Sequence, residues 1–226
     1  MKIQERISGA AQRAGRRPEE ITLIGVSKTH PAEAIREAYE AGLRHFGENR
    51  VQEWEGKRDG VENLQGTWHL IGHLQSNKSA RAAKIFHCVD SVDDFDLAQK
   101  LNRARAEQWA GKKLRILLEV CVAQEETKSG VEISEVAGLA EKIASLPQLD
   151  LAGLMCIPPY RENTQEVRPY FRKLRELLGD LQNRLHLALP VLSMGMSHDF
   201  EAAIEEGATE VRVGTLLFGS RPALKP

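Results

Sequence analysis

No stretch of this sequence approaches the roughly 20 consecutive apolar residues that a membrane-spanning helix requires. The segment from Met1 to Arg17 alternates charged and small residues and lacks the apolar core of a secretory leader. Cysteine is scarce. The three present, Cys88, Cys121 and Cys156, each lie inside an apolar run, and an odd number without framework spacing argues against a disulfide-stapled domain. An excess of either charge is missing too: 31 Lys and Arg against 32 Asp and Glu leave a formal net charge of −1. That balance removes the electrostatic footprint of a nucleic-acid or membrane-surface binder. Aromatic residues make up only 5%, and none interleaves the basic groups Lys78, Arg81 and Lys84 or Lys112, Lys113 and Arg115. These groups therefore read as solvated faces. The expectation is a cytoplasmic protein with buried thiols and neither a nucleic-acid nor a membrane partner.

What is present is an ordinary globular balance, 42% hydrophobic and 28% charged over 226 residues, enough for one sizeable core. After a polar, helix-like leader at about 2–14, short apolar β-rich runs alternate with longer amphipathic segments. Eight runs read as strands: Ile21–Ser27, Arg44–Gly47, Thr67–Ile71, His87–Val89, Arg115–Val122, Leu151–Ile157, Val191–Met194 and Glu210–Gly214. Helices are expected between them, among others at Pro31–Ala41, Asp93–Gln108, Ile133–Ala144, Gln165–Leu178 and Phe200–Glu205. Pro31 suits a first helical turn, and Gly42 and Gly207 suit the returns that follow helices. Parallel strands need such crossovers. A doubly wound sheet would carry a Gly-rich loop after its first strand, and Val26-Ser27-Lys28-Thr29-His30 has none. The fold expected is α/β, a single (β/α)₈ TIM barrel spanning residues 1–226 as one domain.

Barrel chemistry collects where each strand gives way to polar residues at its C-terminal end. Lys28 stands directly after the first strand, where desolvation disfavours the ammonium and frees a nucleophilic amine for Schiff-base chemistry. At the other end of the chain, Ser193-Met194-Gly195-Met196-Ser197-His198-Asp199 reads as a strand end, a glycine turn and a helix start, suited to an anion. Arg212-Val213-Gly214-Thr215 supplies a second glycine turn with a hydroxyl. Loops after the seventh and eighth strands often bind phosphate in barrels, so Ser193, Gly195, Ser197, Arg212, Gly214 and Thr215 form a coherent candidate site with Lys28. His30, His45, His69, His73 and His87 fall on different elements without a cysteine or carboxylate at ligand spacing, and no metal is expected. Asp93 reads first as a helix cap and second as a site residue, and Lys128-Ser129-Gly130 as either a loop over the site or a surface turn.

With these residues in view, the chain resembles the pyridoxal phosphate homeostasis proteins, whose barrel is similar to the N-terminal domain of alanine racemase. The resemblance covers nearly the whole sequence and rests on motifs in order: Val26-Ser27-Lys28-Thr29, Phe46-Gly47-Glu48-Asn49, His69 to Lys78, Ser91-Val92-Asp93, Leu154-Met155-Cys156, Ser193 to Ser197 and Phe218-Gly219. It departs from the family pattern at Arg50 and His73. The resemblance implies pyridoxal 5′-phosphate (PLP) as cofactor, held as an imine on Lys28. It also implies that Ser197 and the Gly214-Thr215 turn hold the phosphate, that Arg212 faces the pyridine nitrogen, and that Asn49 lies near the ring. The function implied is intracellular PLP homeostasis by a monomer that carries or buffers the cofactor for apo-enzymes, with little or no catalysis. Two alternatives stay open: an amino-acid racemase or lyase, with Tyr160 as the one tyrosine near a strand end, and a Schiff-base aldolase using Lys28 on a phosphorylated carbonyl compound. A two-base racemase needs an acid–base group opposite the lysine, and with the chain ending at Pro226, shortly after the eighth strand, no further domain is expected to bring one.

Overall fold

The computed structural model describes residues 2–108, 111–123 and 129–219. Strand β1 (Thr22–Val26) pairs with β2 (His45–Glu48), β2 with β3 (Thr67–Leu70) and β3 with β4 (Cys88–Val92). On its other side β1 pairs with β9 (Glu210–Val213), which leads through β8 (Val191–Met196) and β7 (Leu149–Met155) to β5 (Leu114–Cys121). All these pairs are parallel, and the pairing of β4 with β5 closes the ring. Eight strands thus form the expected closed barrel. A two-residue strand, β6 (Val131–Glu132), pairs with β5 outside it.

Around the barrel run α1 (Lys2–Arg13), α2 (Ala32–Glu40), α3 (Val51–Glu55), α4 (Arg58–Val61), α5 (Ser79–Ile85), α6 (Phe95–Gln108), α7 (Ile133–Ala144), α8 (Arg168–Leu185), α9 (Phe200–Glu205) and α10 (Thr215–Phe218). The leader helix α1 is tied to α9 by Arg6–Glu201 and Arg13–Glu205, both 2.6 Å. Alternate strand residues point outward into the main apolar core beneath the helices. There Phe46 and Trp68 lie 5.2 Å apart between ring centroids, with Trp54 of α3 edge-on to Trp68. The expected helix ends shift in two informative places. Pro31 is the residue before α2 and not part of its first turn, and the cap of α6 is Asp94, whose Oδ1 accepts from Leu97 N at 2.7 Å. The Asp93 carboxylate instead takes a backbone hydrogen bond from Gly130.

The lumen departs most from expectation. Its apolar part is small, a cluster of Leu117, Ala152, Met155 and Val191, and the space towards the bottom of β2 to β5 and β9 is filled by polar groups. Half-buried Arg115 pairs with buried Glu210. His69 Nδ1 lies 2.9 Å from Asp90 Oδ2, and His69 Nε2 lies 3.0 Å from His45 Nδ1. Burial alone would deprotonate His69, but the Asp90 carboxylate outweighs it and raises the imidazole well above its ordinary value. Burial, helped by His69, pushes His45 down to about 4. The pattern is a charged His69 donating to Asp90 on one side and to neutral His45 on the other. This corrects the picture of scattered, unpartnered histidines: strand register brings ligand atoms of His69, Cys88 and Asp90 within 4.8 Å of one another. Cys88 and Cys156 are buried free thiols as expected, whereas Cys121 is only partly buried and donates to Ala123 O at 2.8 Å. Among the described residues no helix is long and apolar enough to cross a membrane.

Candidate cofactor site

The C-terminal strand ends surround a cavity of about 450 Å³. Lys28, two residues beyond β1, lines it together with Asn49, Ser197, Arg212, Gly214 and Thr215, so six of the eight candidate residues share one space. The chain turns sharply there. Thr29 has φ +66°, left-handed backbone that a non-glycine residue adopts at a cost of about 1–2 kcal/mol, and His30 N donates back to Ser27 O at 3.1 Å. Such strain persists where the surroundings over-determine it. The surroundings are visible: Ser27 Oγ donates to Glu48 Oε1 at 2.7 Å, while Lys57 Nζ reaches the same oxygen at 2.7 Å and Ser27 O at 2.8 Å. Burial pushes the Glu48 carboxyl up, and Lys57 and Ser27 act against it. The partly buried Glu48–Lys57 pair thereby anchors the backbone that presents Lys28.

From β9, next to β1 in the barrel, the side chain of Arg212, only 3% exposed, lines the same cavity. Its Nη1 donates to Ser193 Oγ at 2.9 Å and its Nη2 to Cys156 O at 2.8 Å. These two bonds fix the guanidinium plane and use two of its five N–H donors. Ser193 is thus a support for Arg212 and does not itself line the cavity. Gly195 does not line it either. It is a kink inside β8, with φ +92°, at the register shift between Ser193 and Met196, not a turn after the strand. A Cβ there would fall 2.5 Å from Ala203 Cβ and 2.9 Å from Phe200 Cα, so only glycine lets α9 pack this close. Beyond the kink, Met196 N donates to Asp199 Oδ1 at 2.6 Å, and Ser197 Oγ accepts from Gly214 N at 3.2 Å. That bond joins the loops after β8 and β9 into one wall.

One residue on the opposite rim, Glu119, escaped sequence reasoning. Glu119 of β5 and His73 line the cavity, and His73 Nδ1 stands 3.5 Å from Oδ2 of Asp93. Burial, with Asp93 adding to it, raises the Glu119 carboxyl to about 7. Glu119 left one usable signal, a lone acid inside an apolar strand run, a residue type almost never buried without a reason. Tyr160 is 70% exposed, stacks near His198 with centroids 5.2 Å apart and does not line the cavity. Ser129 does line it, while Lys128 lies outside the described residues.

One amine, two hydroxyls and a fixed guanidinium, all lining one cavity, make a donor set that fits a phosphorylated aldehyde. The alanine racemase N-terminal domain family matches residues 2–222. A pyridoxal phosphate homeostasis protein of Aquifex aeolicus (strain VF5) is 49% identical over 220 residues, covering 97% of this chain and 96% of its own. The chain belongs to the pyridoxal phosphate homeostasis protein family. The family member of the same name from Escherichia coli (strain K12) is 42% identical and covers 97% of this chain and 94% of its own. Among solved structures, PipY of Synechococcus elongatus PCC7942, with PLP bound, aligns with a TM-score of 0.84 at 41% identity, covering 94% of this chain and all of its own. Alanine racemase of Clostridium difficile 630, with a TM-score of 0.72 at 16% identity, shares the fold alone.

Proposed function

We propose that this chain binds pyridoxal 5′-phosphate, attaches it to Lys28 and serves intracellular PLP homeostasis as a carrier or buffer with little or no turnover. The observation that carries the reading is the convergence of Lys28, Arg212 and the joined loops of Ser197 and Gly214 on one cavity of about 450 Å³. When bound, the cofactor supplies an aldehyde that condenses reversibly with amines. Lys28 supplies the amine that retains it, and the Ser197 and Thr215 hydroxyls offer donors for the phosphate, Ser197 being positioned by the Gly214 N–H. Asn49 lines the same cavity and would offer its amide to the bound cofactor. Arg212 is always protonated and can only donate. A ring nitrogen met by this group stays unprotonated and draws electrons weakly, which suits carriage better than transamination. The racemase alternative gains nothing from Tyr160, which points to solvent.

We take the protein to act as a monomer in the cytoplasm, passing its cofactor to apo-enzymes. The three free thiols support a reducing compartment. The test is the visible absorption of the purified chain on adding pyridoxal 5′-phosphate, for the native protein and for Lys28→Ala. A visible band that borohydride bleaches, present in the native protein and absent from the variant, is the expected result. A native protein that stays colourless with added cofactor, yet is trapped by borohydride when given a phosphorylated carbonyl compound, would replace this reading with the aldolase one.

A further inference from the structure

A cofactor that leaves Lys28 for another amine needs that amine inside the barrel mouth, and the rim opposite Lys28 has the groups to receive it. In the closed strand order β5 stands four strands from β1 in either direction. A cavity-facing residue near the end of β5 therefore lies across the mouth from Lys28. Glu119 is that residue. It is only 6% exposed and lines the cavity, and its carboxyl has no hydrogen-bond partner among the described residues.

The charged and titratable groups facing it come from four neighbouring elements. Asp93 follows β4, His73 follows β3, Arg212 belongs to β9 and Cys156 follows β7. The Cys156 thiol, pushed up to about 12 by burial, stays neutral. Arg212 directs two donors to the neutral acceptors Ser193 Oγ and Cys156 O, so no hydrogen bond ties it to Glu119. His73 is already beside Asp93 at 3.5 Å. Glu119 thus shares the cavity with Lys28, His198 and Arg212, while Asp93 stands behind His73, outside the cavity lining. A buried, unpartnered carboxyl that is partly protonated near neutrality ionises when a cation arrives. A solvated ammonium entering the mouth would meet an acceptor already held in place.

Resting on the function proposed above, we propose that Glu119, with the Asp93–His73 pair beside it, forms a subsite for a protonated primary amine across the barrel mouth from Lys28. The shared chemistry is an alkylammonium head, carried either by a free amino acid or by a lysine side chain of a protein.

The test is saturation-transfer NMR of n-butylamine with the full chain as purified, comparing native protein, Glu119→Gln and Asp93→Asn, with n-butanol as the neutral isostere. The site predicts amine binding at least about tenfold weaker in Glu119→Gln, as for loss of a charge-assisted hydrogen bond, with butanol unaffected. Asp93→Asn should weaken binding to a smaller extent, and it keeps the test alive should Glu119→Gln fold poorly. Nα-acetyl-lysine amide and alanine separate the sources. Glu119-dependent binding of the former identifies a protein lysine, and of the latter a free amino acid. Equal amine binding by native protein and both variants, or none by the native protein, overturns the subsite. Cofactor content is read from the absorption spectrum of the same samples. A cofactor-free chain that will not load pyridoxal phosphate but binds amines through Glu119 would sink the function and leave the subsite standing.

Discussion

Replacing Glu119 with glutamine should stabilise the protein, and do so more strongly as the pH rises. The carboxyl is nearly enclosed, and burial together with Asp93 moves it from an ordinary 4.5 to about 7. A carboxyl raised on folding binds more protons in the native chain than in the unfolded one. Its contribution to stability is therefore fully present below 4.5 and is lost as pH rises through 7. Once ionised, it costs the native state about 3 kcal/mol relative to its protonated form, and access of solvent through the cavity makes this a ceiling. Glutamine keeps the shape and cannot ionise. The difference in unfolding free energy between Glu119→Gln and native protein should move in favour of the variant by about 2–3 kcal/mol between pH 5 and pH 8.5. Urea unfolding followed by circular dichroism at both pH values measures it, and groups shared by the two proteins cancel in the comparison. A difference independent of pH, or one that favours the native protein more at pH 8.5, would refute the reasoning.

Other positions carry equally definite outcomes. Gly195→Ala forces a side chain into left-handed backbone against Phe200 and Ala203, so it should cost about 2–4 kcal/mol and weaken cofactor binding through the displaced Ser197. A midpoint in urea equal to the native one would contradict that. Asp90→Ala leaves the charged His69 unpaired inside the barrel and should cost about 3–5 kcal/mol, read calorimetrically as a fall in Tm of about 2–4 °C per kcal/mol. A Tm within about 2 °C of native would show that the lumen tolerates the loss. Tyr160→Phe removes a hydroxyl from an exposed ring outside the cavity, and should leave stability within about 0.5 kcal/mol and cofactor affinity unchanged. A marked loss of affinity would revive a role for Tyr160 in the site.

The barrel was legible because its signals are local. Short β-rich runs, each followed by a segment of helical period, leave a closed parallel sheet as the natural arrangement, and Lys28 is marked by standing where the first run ends. The outer helix layer was legible in the same way, apart from short helices such as α3 and α4. What stayed hidden depends on register. Nothing in the spacing of His45, His69 and Asp90 says that adjacent strands will align them into a hydrogen-bonded chain. Asp93 and Asp94 are adjacent acids ahead of one helix, and only the geometry of the first turn assigns the cap to Asp94 and leaves Asp93 beside His73. Ser193 and Gly195 were found as part of a glycine-containing anion loop, yet they act one step back. One braces Arg212 and the other bends β8, so Ser197 reaches the wall while they do not. Glu119 was missed because an acid in an apolar run was read as part of the strand pattern and not as an exception to it.

The central claim is that Lys28, and no other lysine, holds pyridoxal 5′-phosphate. The direct measurement is to load the native chain, reduce with borohydride, digest and locate the phosphopyridoxyl group by mass spectrometry. The account predicts a single modified peptide carrying Lys28, lost in Lys28→Ala. Modification spread over surface lysines such as Lys78 and Lys112, or an unchanged yield from Lys28→Ala, would contradict it.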